Sequence, residues 1–201
     1  MNCSYSGGLL TSQLREHLRE DVLVASQRLL GCILIRGERR AKIIEVEAYR
    51  AEGDAGSHAF RGPTPRNQAM YGPPGHAYVY FNYGCHWMLN VVAHQEGCAA
   101  AILVRAAKPL QGLELMKQHR PKAKHDWDLL SGPGKLAAAF EITHRDYGID
   151  LLSPHSDLRI EPGSPVAQMA ITPRIGLAKG KGDDLPWRFI DSQEPKYLSK
   201  R

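Results

Sequence analysis

The sequence lacks the features that mark several classes of protein. Its four cysteines are widely spaced and form no C-x-x-C pair, which leaves a zinc ribbon or a thioredoxin-like site without support. No apolar run has the length of a membrane span, and no internal repeat is visible. The segment 1–8 has no charged start followed by an apolar core, so no secretory signal is expected. We therefore expect a cytoplasmic protein with no membrane contact and with free, mostly buried thiols.

The composition that is present suits one folded domain. A chain of 201 residues with 43% hydrophobic content can bury a substantial core. We predict a single domain over residues 1–201, with flexible segments at 1–10 and 193–201. The net charge of +5 permits a polyanionic partner without requiring one. Basic residues cluster, most densely between Lys117 and His125, and such clusters occur on solvated surfaces as well as at nucleic-acid contacts.

Local patterns predict both helices and strands. Asp21 is suited to cap a helix over 22–30 that Gly31 ends. The apolar run 32–35 and a second predicted strand, 42–49, flank a turn and predict a hairpin. Other predicted strands are 99–107, 149–152, 158–160 and 169–174, and other predicted helices are 109–119 and 136–141.

The strand 42–49 has two contrasting faces. Alternation places Ile44, Val46 and Ala48 on one face, and on the other Ile43, Glu45, Glu47 and Tyr49. A solvent-facing strand explains two carboxylates on one face, and alternation alone favours that interpretation. The alternative is the wall of a cleft in which Glu47 serves as a base.

The segment 50–74 shows no periodicity and is rich in Gly and Pro. Polar segments of this length in compact domains are usually functional or mobile. Glu52, Asp54 and His58 raise the question of a metal site. Their spacing matches no established set of ligands, so no metal is expected.

The segment 78–90, Y-V-Y-F-N-Y-G-C-H-W-M-L-N, predicts two strands joined by a tight turn at Asn82-Tyr83-Gly84. Tyr83 is a bulky ring where hairpins usually place small polar residues. One interpretation is a core hairpin whose aromatic rings all face inward. The other is an exposed ring at the tip that a partner covers.

Two further motifs leave alternatives open. The run S-G-P-G-K (131–135) precedes a predicted helix, whose N-terminus could hold a phosphate or could simply be capped by Ser131. It is not a P-loop, because the G-x-x-x-x-G-K-[ST] spacing is absent. The run P-W-R-F (186–189) is suited to close the core, or alternatively to contact DNA through Arg188.

Seven motif blocks together resemble the alkyladenine (3-methyladenine) DNA glycosylase family, in its order and at close to its spacing. They cover about Leu30 to Asp150, with a weaker similarity at 174–176 and 186–189. The blocks are E-V-E-A-Y (45–49), S-H-A (57–59), T-P-R-N (64–67), P-G-H-A-Y-V-Y-F-N-Y-G (74–84), N-V-V (90–92), L-V-R-A (103–106) and S-G-P-G-K-L (131–136).

The resemblance implies an enzyme that flips alkylated or deaminated purines out of duplex DNA and hydrolyses the N-glycosidic bond. Glu47 would activate the attacking water, with Arg105 near that water and the phosphate of the flipped nucleotide. The base would stack with Tyr49 and His58 on one side and Tyr80 on the other. Asn90 would crowd the 2-amino group of guanine.

The resemblance also implies how DNA is held. Tyr83 would enter the minor groove and fill the gap that the base leaves. Arg61, Arg66 and Lys135 are expected to contact the DNA. No lysine occupies the position of a Schiff-base nucleophile, so monofunctional hydrolysis without a cofactor is expected. The expected partner is double-stranded DNA with damaged purines, bound by a monomer.

Three other functions stay open at this point. A non-catalytic module with the same fold would bind DNA but release no base. A metal-dependent nuclease would use Glu47, Asp54 and His58 and would lose activity in EDTA. RNA is a possible substrate, although its shallow groove needs no intercalating ring. The predicted fold class is α+β, a single mixed domain with a curved, largely antiparallel sheet, surrounding helices and a protruding β-hairpin.

Overall fold

A computed structural model describes residues 6–200, with side chains from residue 11 onward. The helices within that range are α1 (Ser6–Leu18), α2 (Val22–Leu29), α3 (Leu113–His119) and α4 (Pro133–Ala139). The strands are β1 (Ile33–Arg36), β2 (Arg39–Arg50), β3 (Ala77–Asn82), β4 (His86–Val92), β5 (Ala100–Gln111), β6 (Leu158–Glu161), β7 (Met169–Thr172) and β8 (Arg188–Asp191).

The strands form one antiparallel sheet that curls into a half-barrel. Its order is β3-β4-β5-β2-β1-β6, while β8 pairs with both β2 and β7. Helix α2 packs on β2 and β5, and α4 packs on β4 and β5. Their apolar side chains share one core cluster with the sheet, which includes Leu29, Val46, Val104, Leu136 and Phe140. The predicted α+β fold with its largely antiparallel sheet is therefore confirmed.

Helix α2 shows how local sequence sets an element's ends. The Asp21 carboxylate accepts a hydrogen bond from the Leu23 N–H at 2.9 Å, as a cap should. Beyond the helix, Gly31 has a φ of 86°. A Cβ at Gly31 would lie 2.1 Å from the Ser164 carbonyl oxygen. Both the backbone conformation and the close approach therefore require glycine there.

Three predicted elements differ from the structure. Pro109 does not open a helix but lies within β5, opposite Ala41 beside a register irregularity, where a strand tolerates a proline. The helix begins instead at Leu113, after Gly112 with its φ of 74°. Residues 149–152 form turns with one isolated bridge rather than a strand. Helix α4 begins at Pro133, three residues before the predicted start.

Strand β2 carries an irregularity that changes its faces. The register with β5 shifts between Ile43 and Glu45, and Ile43 joins Val46 and Ala48 in the core cluster. Placing Ile43 on the face of the carboxylates was therefore wrong, because a bulge moves the alternation by one residue. Along one of its edges, β2 pairs with β1 near residue 40 and with β8 at Glu45.

The carboxylates of β2 are consequently enclosed rather than solvated. Glu45 and Glu47 are both 0% exposed. They lie between β5 on one side and β8 on the other. The interpretation of β2 as a solvent-facing strand was wrong, since Arg105, the segment after β7 at Ile175, and Ser199 cover the face that carries the two carboxylates.

Two further expectations from the sequence concern the chain ends and the cysteine thiols. Of the segment 1–10, residues 1–5 lie outside the described range, and the backbone of 6–10 belongs to α1. At the other end, Ser199 is buried against Glu45, within a segment predicted to be flexible. Cys85 and Cys98 are exposed, which corrects the expectation of mostly buried thiols.

Cys32 is the one buried thiol in residues 6–200, and burial raises its pKa to about 11. Cys3 lies outside the described residues. In the described part of the chain, no helix combines the length and apolarity needed to cross a membrane.

Candidate active site

A cavity of about 260 Å³ lies between the base of the β3–β4 hairpin and the ends of β2 and β5. Most of the residues that the sequence singles out for the site line it, namely Tyr49, His58, Tyr80, Tyr83, Asn90 and Arg105. Residues far apart in the sequence thus meet at one concavity. Glu47 lies behind its wall and contacts three of the lining residues, Tyr49, Arg105 and Ile175.

Every oxygen of the Glu47 carboxylate is engaged. Oε2 accepts hydrogen bonds from the Tyr49 hydroxyl at 2.8 Å and from Arg105 Nη1 at 3.0 Å. Oε1 accepts one from the Ile175 N–H at 2.6 Å. Burial and the charge of Glu47 raise the pKa of Tyr49 well above its usual value, so Tyr49 stays protonated and donates.

Glu45 forms the other half of a buried cluster. Its Oε1 accepts hydrogen bonds from Arg188 Nε at 2.7 Å, from Arg105 Nε at 3.2 Å and from the Ser199 hydroxyl. Its Oε2 accepts one from the Ser199 N–H at 2.6 Å. We call Glu45, Glu47, Arg105 and Arg188 the carboxylate–arginine cluster.

Arg105 links the two carboxylates of this cluster, and the formal charges balance at two negative and two positive. Burial on its own would lower the pKa of Arg105, but the charges of Glu47 and Glu45 together raise it. A buried charge network of this kind is tolerated only when each member is paired and hydrogen-bonded. Removing one member therefore leaves an uncompensated charge in the interior.

One wall of the cavity is aromatic. His58 Nδ1 lies 2.8 Å from the Tyr78 hydroxyl. The rings of His58 and Tyr80 meet edge to face, with 4.6 Å between centroids, and those of Tyr78 and Tyr80 lie 5.4 Å apart. Partial burial, followed by the charge of Arg66, lowers the pKa of His58. Burial raises the pKa of Tyr80 to about 12, so its ring stays neutral.

This wall corrects one part of the predicted arrangement. His58 and Tyr80 were expected on opposite sides of a bound base. Their rings are in direct contact, so no base fits between them. His58 belongs to the same wall as Tyr80, which leaves Tyr49 as the facing ring.

Asn90 is held in place at the floor of the cavity. It is 4% exposed and pairs with Tyr78 across the hairpin. Its side-chain Nδ2 donates to the Tyr78 carbonyl at 3.0 Å. That bond fixes the orientation of the Asn90 amide at the cavity.

The hairpin tip carries the most exposed tyrosine, tryptophan or phenylalanine ring among the described residues. Tyr83 is 81% exposed. The Cys85 N–H donates to the Asn82 carbonyl at 3.1 Å, and φ is 51° at Tyr83 and 66° at Gly84. Positive φ at both central residues defines a type I′ turn, in which a tyrosine is unusual. The core-hairpin interpretation is wrong at the tip, although Tyr78 at the base is buried.

The three residues expected to contact DNA have different surroundings. Arg61 and Arg66 are exposed. Arg66 also donates to the Phe81 carbonyl at 3.3 Å and places its guanidinium carbon 5.3 Å from the centroid of the Tyr80 ring. Lys135 in α4 pairs with Asp128. Their contacts with DNA remain predictions.

Helix α4 is not capped by the serine of the S-G-P-G-K run. Its N-cap residue is Gly132, and no side-chain hydrogen bond caps it. The Ser131 hydroxyl instead accepts a hydrogen bond from Lys135 Nζ at 3.1 Å. Of the two alternatives for this run, capping by Ser131 is therefore excluded, and phosphate binding is left untested.

A second buried ion pair supports Tyr49 and was missed in the sequence. Arg174 and Asp54 are both fully buried and form two hydrogen bonds of 2.7 and 2.8 Å. The Arg174 guanidinium carbon lies 4.5 Å from the centroid of the Tyr49 ring. The weak motif at 174–176 signalled this arginine but not its partner.

Asp54 was one of three residues offered as metal ligands. Its carboxylate accepts hydrogen bonds from Arg174, and the His58 ring is hydrogen-bonded to the Tyr78 hydroxyl. Within residues 6–200, no group of three His, Cys, Asp or Glu side chains is arranged to hold a metal ion.

The chain is similar to known proteins over most of its length. A family model described as methylpurine-DNA glycosylase matches residues 16–195. A protein of Chlorobaculum parvum is 44% identical over 191 residues, covering 92% of this chain and 90% of the relative. One of Burkholderia lata is 42% identical over 92% of this chain and 88% of the relative. One of Methanocella arvoryzae is 41% identical over 93% of this chain and 95% of the relative. All three carry the name "Putative 3-methyladenine DNA glycosylase".

Proposed function

This chain belongs to the methylpurine-DNA glycosylase family and is a hydrolase of N-glycosyl bonds, and we propose on that premise that it excises alkylated or deaminated purines flipped out of duplex DNA. The observation that carries the proposal is the meeting of two stacking rings and a buried carboxylate at one cavity. A base inside a duplex is inaccessible to such a cavity, so the nucleotide must leave the stack first.

The flipped base stacks between Tyr49 and Tyr80. Both rings line the cavity, and each is held from behind by an arginine guanidinium, Arg174 or Arg66. Stacking on aromatic rings contributes about 1–3 kcal/mol per base and accepts different bases. Asn90, fixed by its bond to Tyr78, rejects a guanine amino group by steric clash.

Glu47 then activates the nucleophile. It accepts a proton from a water molecule whose oxygen bonds to the anomeric carbon of the sugar, while the bond from that carbon to the base nitrogen breaks. The base leaves with the electron pair of that bond. A neutral purine such as hypoxanthine also takes up a proton from solvent, whereas a cationic purine leaves as the neutral base and the proton accepted by Glu47 is released to solvent. The transition state resembles an oxocarbenium ion, which a fixed carboxylate stabilises electrostatically.

Arg105 and Tyr49 hold Glu47 in this role. Their donors lie at 3.0 and 2.8 Å from the same carboxylate oxygen, so the orientation of the carboxylate is set before substrate arrives. In residues 6–200, no lysine lines the cavity. An imine with the sugar is therefore not expected, and the reaction ends at hydrolysis.

Tyr83 replaces the departed base. Its ring stands at a turn that projects from the sheet and is exposed without DNA. Insertion of a ring costs a few kcal/mol of unstacking, which new stacking and backbone contacts offset. We further propose that the protein acts as a monomer on double-stranded DNA in the cytoplasm, with Arg61, Arg66 and Lys135 on the DNA side.

The test is release of base by Glu47→Gln. Single-turnover rates on duplexes with one hypoxanthine or one 7-methylguanine should fall by about 10²–10⁴-fold, because general-base catalysis typically contributes that factor. The matched control is Glu52→Gln, at an exposed glutamate near the same strand, which should retain the wild-type rate.

Undiminished release by Glu47→Gln would refute the proposed role of Glu47. If the wild-type protein bound these duplexes but released no base from any lesion, a non-catalytic DNA-binding module would be the better description.

A further inference from the structure

The two stacking rings of the cavity differ in the charge behind them. The guanidinium carbon of Arg66 lies 5.3 Å from the centroid of the Tyr80 ring. Arg66 does not line the cavity but a separate groove on the outer side of the hairpin, with Pro65, Phe81 and Trp87. Tyr80 therefore turns one face to the cavity and the other to a cation.

Tyr49 also has an arginine behind it, but that charge is compensated. Arg174 lies 4.5 Å from the Tyr49 centroid and forms a fully buried ion pair with Asp54. Arg66, by contrast, is exposed, and among residues 6–200 no Asp or Glu forms an ion pair with it. The Tyr80 wall thus carries a net positive charge that the Tyr49 wall lacks.

The charge of Arg66 acts on several residues of the cavity. It adds to partial burial in lowering the pKa of His58. At Tyr78 and Tyr80, burial raises the pKa and Arg66 opposes that rise. All three residues line the cavity, so the field of Arg66 extends to where a base would lie.

We propose that Arg66 is a specificity-determining residue that disfavours purines carrying a positive charge and biases the cavity toward neutral damaged purines. The proposal rests on the function proposed above. A purine alkylated at a ring nitrogen, such as 7-methylguanine in DNA, is a cation. Hypoxanthine is neutral. An unmodified tyrosine face attracts a cation, and a guanidinium on the opposite face offsets that attraction.

Distance sets the size of the effect. A base stacked on Tyr80 at van der Waals contact would lie about 9 Å from the Arg66 guanidinium, which is 5.3 Å from the ring on the other side. With effective dielectric constants between about 80 and about 20, Coulomb repulsion at that separation corresponds to about 2- to 20-fold discrimination.

The experiment compares two lesions in one duplex sequence. Values of kcat/KM, which include binding of the charged base, are measured for 7-methylguanine and for hypoxanthine, and their ratio is taken for wild type and Arg66→Gln. The ratio cancels any general loss of DNA affinity. We expect Arg66→Gln to raise the ratio of cationic to neutral release by about 2- to 20-fold.

Two matched variants separate this role from DNA binding. Arg61→Gln removes another exposed arginine of the same segment and should lower both rates by the same factor. Arg66→Lys retains the charge and should keep the ratio near that of wild type. In the free protein, the His58 pKa measured by NMR should rise in Arg66→Gln and not in Arg61→Gln.

The outcomes are distinguishable. A ratio and a His58 pKa that are both unchanged in Arg66→Gln, with release still occurring, would overturn this inference and leave the proposed function intact. The same shift in Arg61→Gln would also overturn it, because the effect would then belong to the general basic surface. No release of either base by wild type would overturn the proposed function, and this inference with it.

Discussion

The carboxylate–arginine cluster and the hairpin tip are the two extremes of this molecule. In the cluster, Glu45 and Glu47 are fully buried, and every carboxylate oxygen accepts at least one hydrogen bond. At the tip, Tyr83 is 81% exposed and sits in a backbone conformation that few tyrosines adopt. One region is complete within the protein, whereas the other presents a ring that nothing in the described chain covers.

The difference follows from what each region is proposed to do. A base that activates water must be held in position before substrate binds, and the fixed donors around Glu47 do this. A ring that replaces a departed base has its proper surroundings only inside DNA. Residues held in sparsely populated conformations are often found at functional sites, where the strain is tolerated for a purpose. We therefore predict that mutations in the cluster lower the stability of the protein, while mutations at the tip affect only the binding and processing of DNA.

The largest effect on stability is expected from Arg105→Met. Arg105 bonds to both buried carboxylates, and its removal leaves one negative charge of the cluster without compensation. We expect the free energy of unfolding to fall by about 3–5 kcal/mol in urea titrations. Arg61→Met, at an exposed arginine, should change it by less than about 0.5 kcal/mol.

Because Arg105→Met could prevent folding altogether, Arg105→Lys is measured alongside it. Lysine restores the charge but not the fork that spans two carboxylates, so part of the stability should return. An Arg105→Met protein as stable as wild type would show that the cluster is not a coupled unit.

The sequence predicted the parts of this comparison that depend on local pattern. Alternation identified Glu47 and Tyr49 on one strand face, and the N-Y-G turn identified Tyr83 as an anomalous tip residue. The order of motif blocks led to the family, which the family model confirms. The α+β class followed from the mixture of strand and helix periods.

The remaining parts depend on contacts that no local pattern encodes. The burial of Glu45 follows from a bulge in β2 and from the pairing of β2 with β8, in which Glu45 lies opposite Ile190, 145 residues later in the chain. Ser199 reaches Glu45 across a similar distance in sequence. Pro109 looked like the start of a helix, because proline is common there, but the strand irregularity accommodates it.

Tyr83→Ala tests the other side of the comparison. Stability in urea should remain within about 0.5 kcal/mol of wild type, because the side chain is exposed. Binding to a lesion duplex should weaken by about 1–3 kcal/mol, the worth of one stacked ring, as measured by titration with a fluorescent duplex. Tyr83→Phe keeps the ring and serves as the control, with binding near that of wild type.

Two results would contradict the proposed difference between the cluster and the tip. Tyr83→Ala protein that bound and processed lesion duplexes like wild type would exclude the proposed wedge. A large loss of stability in the same variant would show that the tip packs against the protein in solution.

A smaller loss of stability than that of Arg105→Met is expected from Ser199→Ala, at the edge of the cluster. The hydroxyl contacts Glu45 and lies 3.2 Å from Arg105 Nε, while the backbone N–H of residue 199 keeps its bond to Glu45. Loss of a hydrogen bond to a charged group costs about 1.5 kcal/mol of unfolding free energy. Ser192→Ala removes an exposed hydroxyl bonded to a carbonyl and should cost less than about 0.5 kcal/mol.

The same variant tests whether Ser199 positions Arg105 or merely closes the fold. If it positions Arg105, and through it Glu47, then kcat should fall several-fold with KM unchanged, since a misaligned base affects the transition state rather than substrate binding. Ser199→Thr retains the hydroxyl and should restore kcat. Loss of stability with unchanged kcat would show that Ser199 contributes only to packing. The residues that position Glu47 for catalysis would then not extend beyond Glu45.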